Sequence, residues 1–290
     1  MHFLAKREPD WHRIRVPCRS ERLPSHLRLR RYTVSIPYAS GAGQTVAFFS
    51  DLHWTGRHVE RADALVRAIN LAEPEWIVFG GDLIRYLCDC QSALRILQQL
   101  CARRGKLAVL GNRERVHTWR PPEEWIELYA KAGFTCLINE TCVPAGDENP
   151  VFVGLDDMRY GAPDPDICLP FLGSRRTVVM LSHTPDTVGL FRHRFAGHVL
   201  LSGHTHGGQL RVPLLGPAYT SSAYGRQFDR GWLGRSDGAQ LYVTTGTGET
   251  GYALLRRRVH CPPEIALLTF EQTGIASTLR MGAKTQDQRL

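Results

Sequence analysis

The sequence predicts an α/β fold of one domain, built from short buried strands alternating with amphipathic helices. Three observations predict it. Apolar runs of four or five residues recur along the chain, too short for helices and bounded by glycine or serine. Between the earlier runs, apolar residues fall at helical spacing. Five of the runs end at a polar residue able to hold a metal, and strand ends are where open α/β sheets place their ligands.

The elements follow in order. Residues 1–42 read as a basic arm, closing on a loop-like stretch at 38–43. Nine basic residues lie between Lys6 and Arg31 against only Glu8, Asp10 and Glu21, interleaved with Trp11, Ile14, Leu23, Leu27 and Leu29. Such an arm suits an anionic membrane surface as well as it suits a solvated extension. It matches no nucleic-acid-binding module, so nucleic acid is not an expected partner. The domain, residues 43–271, opens with a strand at Thr45–Phe49 and a helix over His58–Leu71 that stops before Pro74. A strand at Trp76–Phe79, a helix over Ser92–Arg104 and a strand at Leu107–Leu110 repeat the pattern. Pro121-Pro122-Glu123 opens a helix to about Ala132, with proline in its first turn. The second half turns β-rich, with strands at Thr135–Val143, Val151–Gly154, Thr177–Leu181, His198–Ser202, Leu210–Leu215, Leu241–Thr245 and Ile265–Phe270. Helical spacing there is confined mainly to Thr187–Arg194. The polar stretch 272–290 reads as a disordered tail.

Composition narrows the classes. With 43% hydrophobic and 22% charged residues in 290, the chain can bury a full core, and no apolar run is long enough to span a bilayer. No apolar leader precedes a small-residue cleavage site, so the expected location is the cytoplasm, with peripheral attachment to the inner membrane through the arm. The eight cysteines form no C-x-x-C pair, which fits reduced thiols rather than a disulfide framework or a structural zinc. Cys88-Asp89-Cys90 reads as structural for the same reason.

The sharpest stretch is Ser202-Gly203-His204-Thr205-His206-Gly207-Gly208-Gln209. Two histidines at i, i+2 project from one side of extended backbone, and the glycines let the chain crowd a bound group. Four other strand ends carry partners: Asp51-Leu52-His53, Gly81-Asp82, Gly111-Asn112 and His183. Seven carboxylate, carboxamide and imidazole groups are too many for one ion with an open position and suit two, with Mn²⁺ foremost and Fe²⁺ or Zn²⁺ as alternatives.

These ordered motifs resemble the calcineurin-like metallophosphoesterases, over about Val46 to Phe270. The resemblance implies a four-layer αββα sandwich of two mixed sheets flanked by helices, and a metal-dependent phosphohydrolase. It implies one metal on Asp51, His53, Asp82 and His206, and a second on Asn112, His183 and His204 with Asp82 as the bridge. The runs at 207–211, 246–251 and Pro263-Glu264-Ile265 look like the branch that includes bacterial membrane-associated phosphodiesterases.

One position departs from the family pattern. Where most members have histidine after Gly-Asn, this chain has Arg113, in Gly111-Asn112-Arg113-Glu114. Arginine grips phosphate oxygens bidentately but cannot donate a proton to a leaving alkoxide. A phosphate leaving from a pyrophosphate needs charge neutralisation rather than protonation. Arginine here is similar to the motif of the UDP-2,3-diacylglucosamine pyrophosphatases of lipid A synthesis, which implies a nucleotide-lipid substrate and release of UMP and 2,3-diacylglucosamine 1-phosphate. A broad phosphodiesterase or phospholipid head-group hydrolase is the alternative, and a non-catalytic binding or scaffold protein a third. Arg113, Asn112 and Asp82 are the expected catalytic residues, with Arg113 and Gln209 touching substrate. His117 could replace the missing proton donor but reads better as a surface histidine. Arg57 and His58 read as an exposed helix start, Asp156 and Asp157 as turn residues, and Arg256-Arg257-Arg258 as a solvated charge run.

Overall fold

The computed structural model describes residues 8, 10–116, 120–172, 174–191, 195–251 and 257–273. The first half carries β1 (His12–Arg13), β2 (Cys18–Arg22), β3 (Arg28–Ile36), β4 (Thr45–Phe49), α1 (Val59–Ala72), β5 (Trp76–Phe79), α2 (Cys90–Gln98), β6 (Gly105–Ala108), α3 (Asn112–Val116), α4 (Pro122–Lys131), β7 (Thr135–Cys136) and β8 (Glu140–Cys142). The second carries β9 (Val151–Gly154), α5 (Leu169–Leu172), β10 (Val178–Leu181), α6 (Val188–Phe191), β11 (Val199–Ser202), β12 (Arg211–Val212), β13 (Gly216–Pro217), β14 (Gly231–Gly234), β15 (Gln240–Val243) and β16 (Glu264–Gln272).

Two seven-stranded mixed sheets form the centre, in the orders β2-β3-β16-β4-β5-β6-β7 and β1-β14-β15-β11-β10-β9-β8. The inner strands β4, β5, β9, β10 and β11 are apolar on both faces because both faces are covered. In β4, Val46 and Phe48 point to the seam between the sheets, while Ala47 and Phe49 meet the helices. The seam is completed by Val78, Phe152, Leu181, Leu201, Tyr242 and Leu268. Leu65 and Ile69 of α1, Leu94 and Leu97 of α2, and Trp125 and Tyr129 of α4 fill the layer outside the first sheet. Outside the second sheet the layer is thin, made of Val188 and Phe191 on a four-residue helix together with Trp11, Phe195 and Phe228. The sandwich is thus the α/β four-layer arrangement expected, with one helical layer reduced to short turns.

Four expectations change. Residues 12–36 are not an appended arm: β1 closes the second sheet, and β3 lies inside the first, in register with β16 from Arg28↔Glu264 to Ile36↔Gln272. Tyr32, Val34 and Ile36 alternate into the seam, and Arg30 is neutralised by Glu264 at 2.6 Å. The run Thr135–Val143 is two strands in different sheets, because Asn139 turns into the left-handed region (φ 52°) and its side chain accepts from Asp156 N–H and Asp164 N–H. The run Leu210–Leu215 is only the first strand of a small hairpin, since no sheet edge is there to bury it. Helix α2 ends at Gln98 rather than Arg104, where Asn70 captures the Gln99 carbonyl and the Cys101 N–H. Of the predicted tail, Gln272 ends β16 and Thr273 N–H bonds Ile36 O; the rest lies outside the described residues. No helix among the described residues is long and apolar enough to cross a membrane.

Candidate metal centre

The site is assembled from the carboxyl ends of parallel strands in both sheets. β4 delivers Asp51 and His53, β5 delivers Asp82, and Asn112 opens α3 just past β6. From the facing sheet, β10 delivers His183 and β11 delivers His204 and His206. Five of these residues sit in the left-handed region: Asp51 at φ 55°, His53 at 40°, Asp82 at 58°, His204 at 68° and His206 at 51°. Such residues cost about 1–3 kcal/mol each and persist only where the surroundings over-determine them. Here a lattice of loop bonds does so, with Asp51 N–H on Gly81 O, His53 N–H on Asp82 O and Gly203 N–H on His183 O. Glycine is required at two contacts. A side chain on Gly203 would overlap the Asp51 carboxylate, and one on Gly111 would overlap that of Asp82.

All seven predicted ligand positions converge and are buried. Around one point, His53 Nε2 and His206 Nε2 lie 3.0 Å apart, with Asp51 Oδ1 3.3 Å from the latter. Around a second, His183 Nε2 lies 3.2 Å from both Asn112 Oδ1 and His204 Nδ1. Asp82 Oδ2 stands between them, 3.4 Å from His53 Nε2 and 3.6 Å from His183 Nε2. His183 donates Nδ1–H to Gly80 O at 2.7 Å, which leaves its Nε2 lone pair facing the cluster, as a ligand requires. Asp51 Oδ2 accepts from His204 N–H, while its Oδ1 is buried with no hydrogen-bonding partner among the described residues. An orphaned carboxylate oxygen among converging imidazole nitrogens fits a cation.

The electrostatics agree. Burial lifts Asp82 to about 8, reinforced by Glu114 and Asp51. Burial would lift Asp51 too, but His206 and its neighbours hold it well below the carboxylate range. Burial, then His183, pushes His204 down to about 3, and burial with His206 depresses His53. Burial would lower His183 too, but Asp82 and Asp51 raise it to about 9, so a cation binding here would displace a proton held between His183 and Asp82.

Residues around the cluster were partly missed from sequence. Glu114 is buried beneath it, accepting from Gly111 N–H at 3.0 Å, Asp82 N–H at 3.1 Å and Leu83 N–H at 2.6 Å. Its place two residues after Asn112 was the available signal. Arg258, read as part of a solvated run, is instead engaged: it donates to the carbonyls of Thr245 and Gly248, and Nη2 lies 3.3 Å from His206 Nδ1. Gln209, expected to touch substrate, has both ends of its amide on Thr250, accepting from its N–H and donating to its carbonyl at 2.9 Å each. Arg113 donates its backbone N–H to Asp82 Oδ1 at 2.8 Å; its half-buried guanidinium has no hydrogen bond or ion pair among the described residues, yet its charge is felt at His53. Asp156 pairs with Arg115 at 2.5 Å and Asp157 accepts from Arg159 and Tyr160 N–H in a turn. Arg57 is exposed and His58 precedes α1, 3.8 Å from Glu249. His117 and Arg256 lie outside the described residues.

The profile of the calcineurin-like phosphoesterases matches residues 44–208, more than half of the chain and all the clustered loops. The chain belongs to that family. The uncharacterized metallophosphoesterase YkuE of Bacillus subtilis (strain 168) is 31% identical over 80% of this chain and 80% of its own. Phosphodiesterase YaeI of Escherichia coli (strain K12) is 28% identical over 84% of this chain and 88% of its own. An uncharacterized metallophosphoesterase of Aquifex aeolicus (strain VF5) is 26% identical over 86% and 93%. This calcineurin-like phosphoesterase is therefore a metal-dependent phosphoester hydrolase, and its clustered carboxylates and histidines support two divalent ions.

Proposed function

We propose that Asp51, His53, Asp82 and His206 hold one divalent ion and Asp82, Asn112, His183 and His204 the other, with manganese suited to this donor set. The reaction is hydrolysis of a phosphate whose leaving group departs as a stable anion, and the finer substrate is the pyrophosphate of UDP-2,3-diacylglucosamine. Water adds to one phosphorus, the bridging P–O bond breaks, and UMP and 2,3-diacylglucosamine 1-phosphate leave. When bound, the two ions supply Lewis-acid neutralisation of the phosphoryl charge.

The observation that carries this reading is Arg113, a cation without a protein partner among the described residues, fixed through its backbone to Asp82. Its planar fork binds two phosphate oxygens and keeps its own protons, so it stabilises an anionic leaving phosphate rather than protonating an alkoxide. The bond from His183 Nδ1–H to Gly80 O fixes that ring, and the tie from His204 backbone N–H to Asp51 fixes its main chain, so the protein reorganises little during the reaction.

A second reading rests on the likeness to phosphodiesterase YaeI: a broad phosphodiesterase, for which aryl diesters with good leaving groups also need no acid. One assay separates the two. Purified protein with Mn²⁺ is given UDP-2,3-diacylglucosamine and bis(p-nitrophenyl) phosphate, and UMP release in clear excess over nitrophenol is expected; nitrophenol alone would leave the phosphodiesterase. Asp82→Ala is expected to lose both ions by elemental analysis and about 10³-fold in kcat. Arg113→Ala is expected to keep its metal and lose about 10–100-fold in kcat/KM.

A further inference from the structure

We propose that the β12–β13 hairpin, with the arginine-lined crevice at its base, docks this protein onto an anionic phospholipid bilayer. The hairpin belongs to neither large sheet, and residues 212–215 are exposed. Leu214 is fully exposed, Leu215 67% and Val212 49%, with Tyr219 at 75% just beyond. Most other exposed large apolar residues are scattered along the chain, whereas these four fall within eight residues and make an apolar ridge of the hairpin and the loop that leaves it.

The charge beside the ridge selects the occupant. Arg226 is exposed and donates Nη1–H to Leu215 O at 2.8 Å, so a guanidinium sits directly behind the leucines. Below it opens a crevice of about 560 Å³, into which Arg13, Arg30, Arg211 and Arg230 also project. Five guanidiniums there face two carboxylates. Asp229 is shared by Arg13 and Arg211, and Glu264 is taken by Arg30, which leaves Arg226 and Arg230 without an acidic partner among the described residues. A soluble anion would use the arginines and ignore the leucines. A bilayer with anionic headgroups uses both, taking the apolar tip below the headgroups and the guanidiniums at their level. Arg13 and Arg30 come from the segment whose charge suggested such a surface in the sequence, now delivered by β1 and β3 to the crevice.

The hairpin leaves directly from the metal loop. Arg211 Nη1–H donates to Gly207 O at 2.7 Å, and Ser221 Oγ–H, in the loop after β13, to His204 O at 2.9 Å. Docking therefore sets the catalytic centre at the membrane surface, whichever phosphate ester it cleaves.

Sedimentation with vesicles of phosphatidylcholine alone, or mixed with phosphatidylglycerol, tests this with the full chain. Binding is expected only to the phosphatidylglycerol vesicles and is expected to weaken as salt is raised. The double variant Leu214→Asp, Leu215→Asp should bind at least about tenfold more weakly while hydrolysing the soluble diester bis(p-nitrophenyl) phosphate as the wild type does. Leu214→Trp should gain fluorescence that is quenched by bromine atoms on the lipid acyl chains. Failure of the wild type to sediment, equal sedimentation of the aspartate variant, or an unquenched tryptophan each overturns the proposal. So does concentration-dependent dimerisation abolished by the aspartate variant in the absence of vesicle binding, which would give the ridge to a second copy. None of these readouts depends on UDP-2,3-diacylglucosamine being the substrate.

Discussion

Glu114 shows how a single buried carboxylate can position a metal centre without facing it. Three backbone N–H groups of the loops after β5 and β6 end on its oxygens, and the Tyr129 hydroxyl reaches it at 3.3 Å. Those loops carry Asp82 and Asn112. Glu114→Gln keeps one acceptor and turns an amide N–H₂ toward donors, so it is expected to cost about 3 kcal/mol in urea unfolding and to weaken metal retention by elemental analysis. His198 gives a second residue-scale expectation. Its Nδ1 accepts from Val178 N–H at 3.2 Å, its Nε2 is buried with no partner among the described residues, and burial lowers it from 6.5 to about 4. Between those values the unfolded chain binds a proton that the native one does not, so stability is full above 6.5 and falls with falling pH. The total is about 3 kcal/mol. His198→Asn, which keeps an acceptor but does not titrate, should lose less stability than wild type between pH 7 and pH 4.5 in urea unfolding.

At the scale of elements, β3 is the instructive case. Its nine residues lie between β2 and β16, so removing it strips β2 of its sheet neighbour and β16 of one of two. A chain beginning at Tyr38 is expected to show no cooperative thermal transition by circular dichroism, whereas a dispensable arm would leave the transition near its original temperature. The charge of Arg28, Arg30 and Arg31 masked this strand in the sequence, although Tyr32, Val34 and Ile36 alternate as a half-buried strand should. β4, β5 and β9 were legible to the residue because both their faces are buried and the apolar run ends where the burial ends. β14 was not, since Gly231-Trp232-Leu233-Gly234 has only two apolar side chains and is held by its neighbours β1 and β15. The seven clustered side chains were legible because each follows a strand end at a glycine or serine, a local rule. Arg258 acts through contacts distant in sequence that no local pattern announces, and Glu114 had only its place two residues after Asn112 to mark it.

For the whole molecule, the metal centre straddles the seam, and bound ions should therefore stabilise the entire sandwich. At an ion concentration a hundred times its dissociation constant the linkage is about 3 kcal/mol, or several degrees in Tm. Differential scanning fluorimetry with and without a chelator should show that drop in the wild type and little of it in Asp82→Ala. The seam has a further consequence for how such a catalyst can be inherited. Asp51, His53, Asp82 and Asn112 all precede the exposed turn at 145–148, while His183, His204 and His206 all follow it. A gene broken at that turn would yield two polypeptides, each with an incomplete coordination sphere. Neither piece would be half as active; both would be inert until they met.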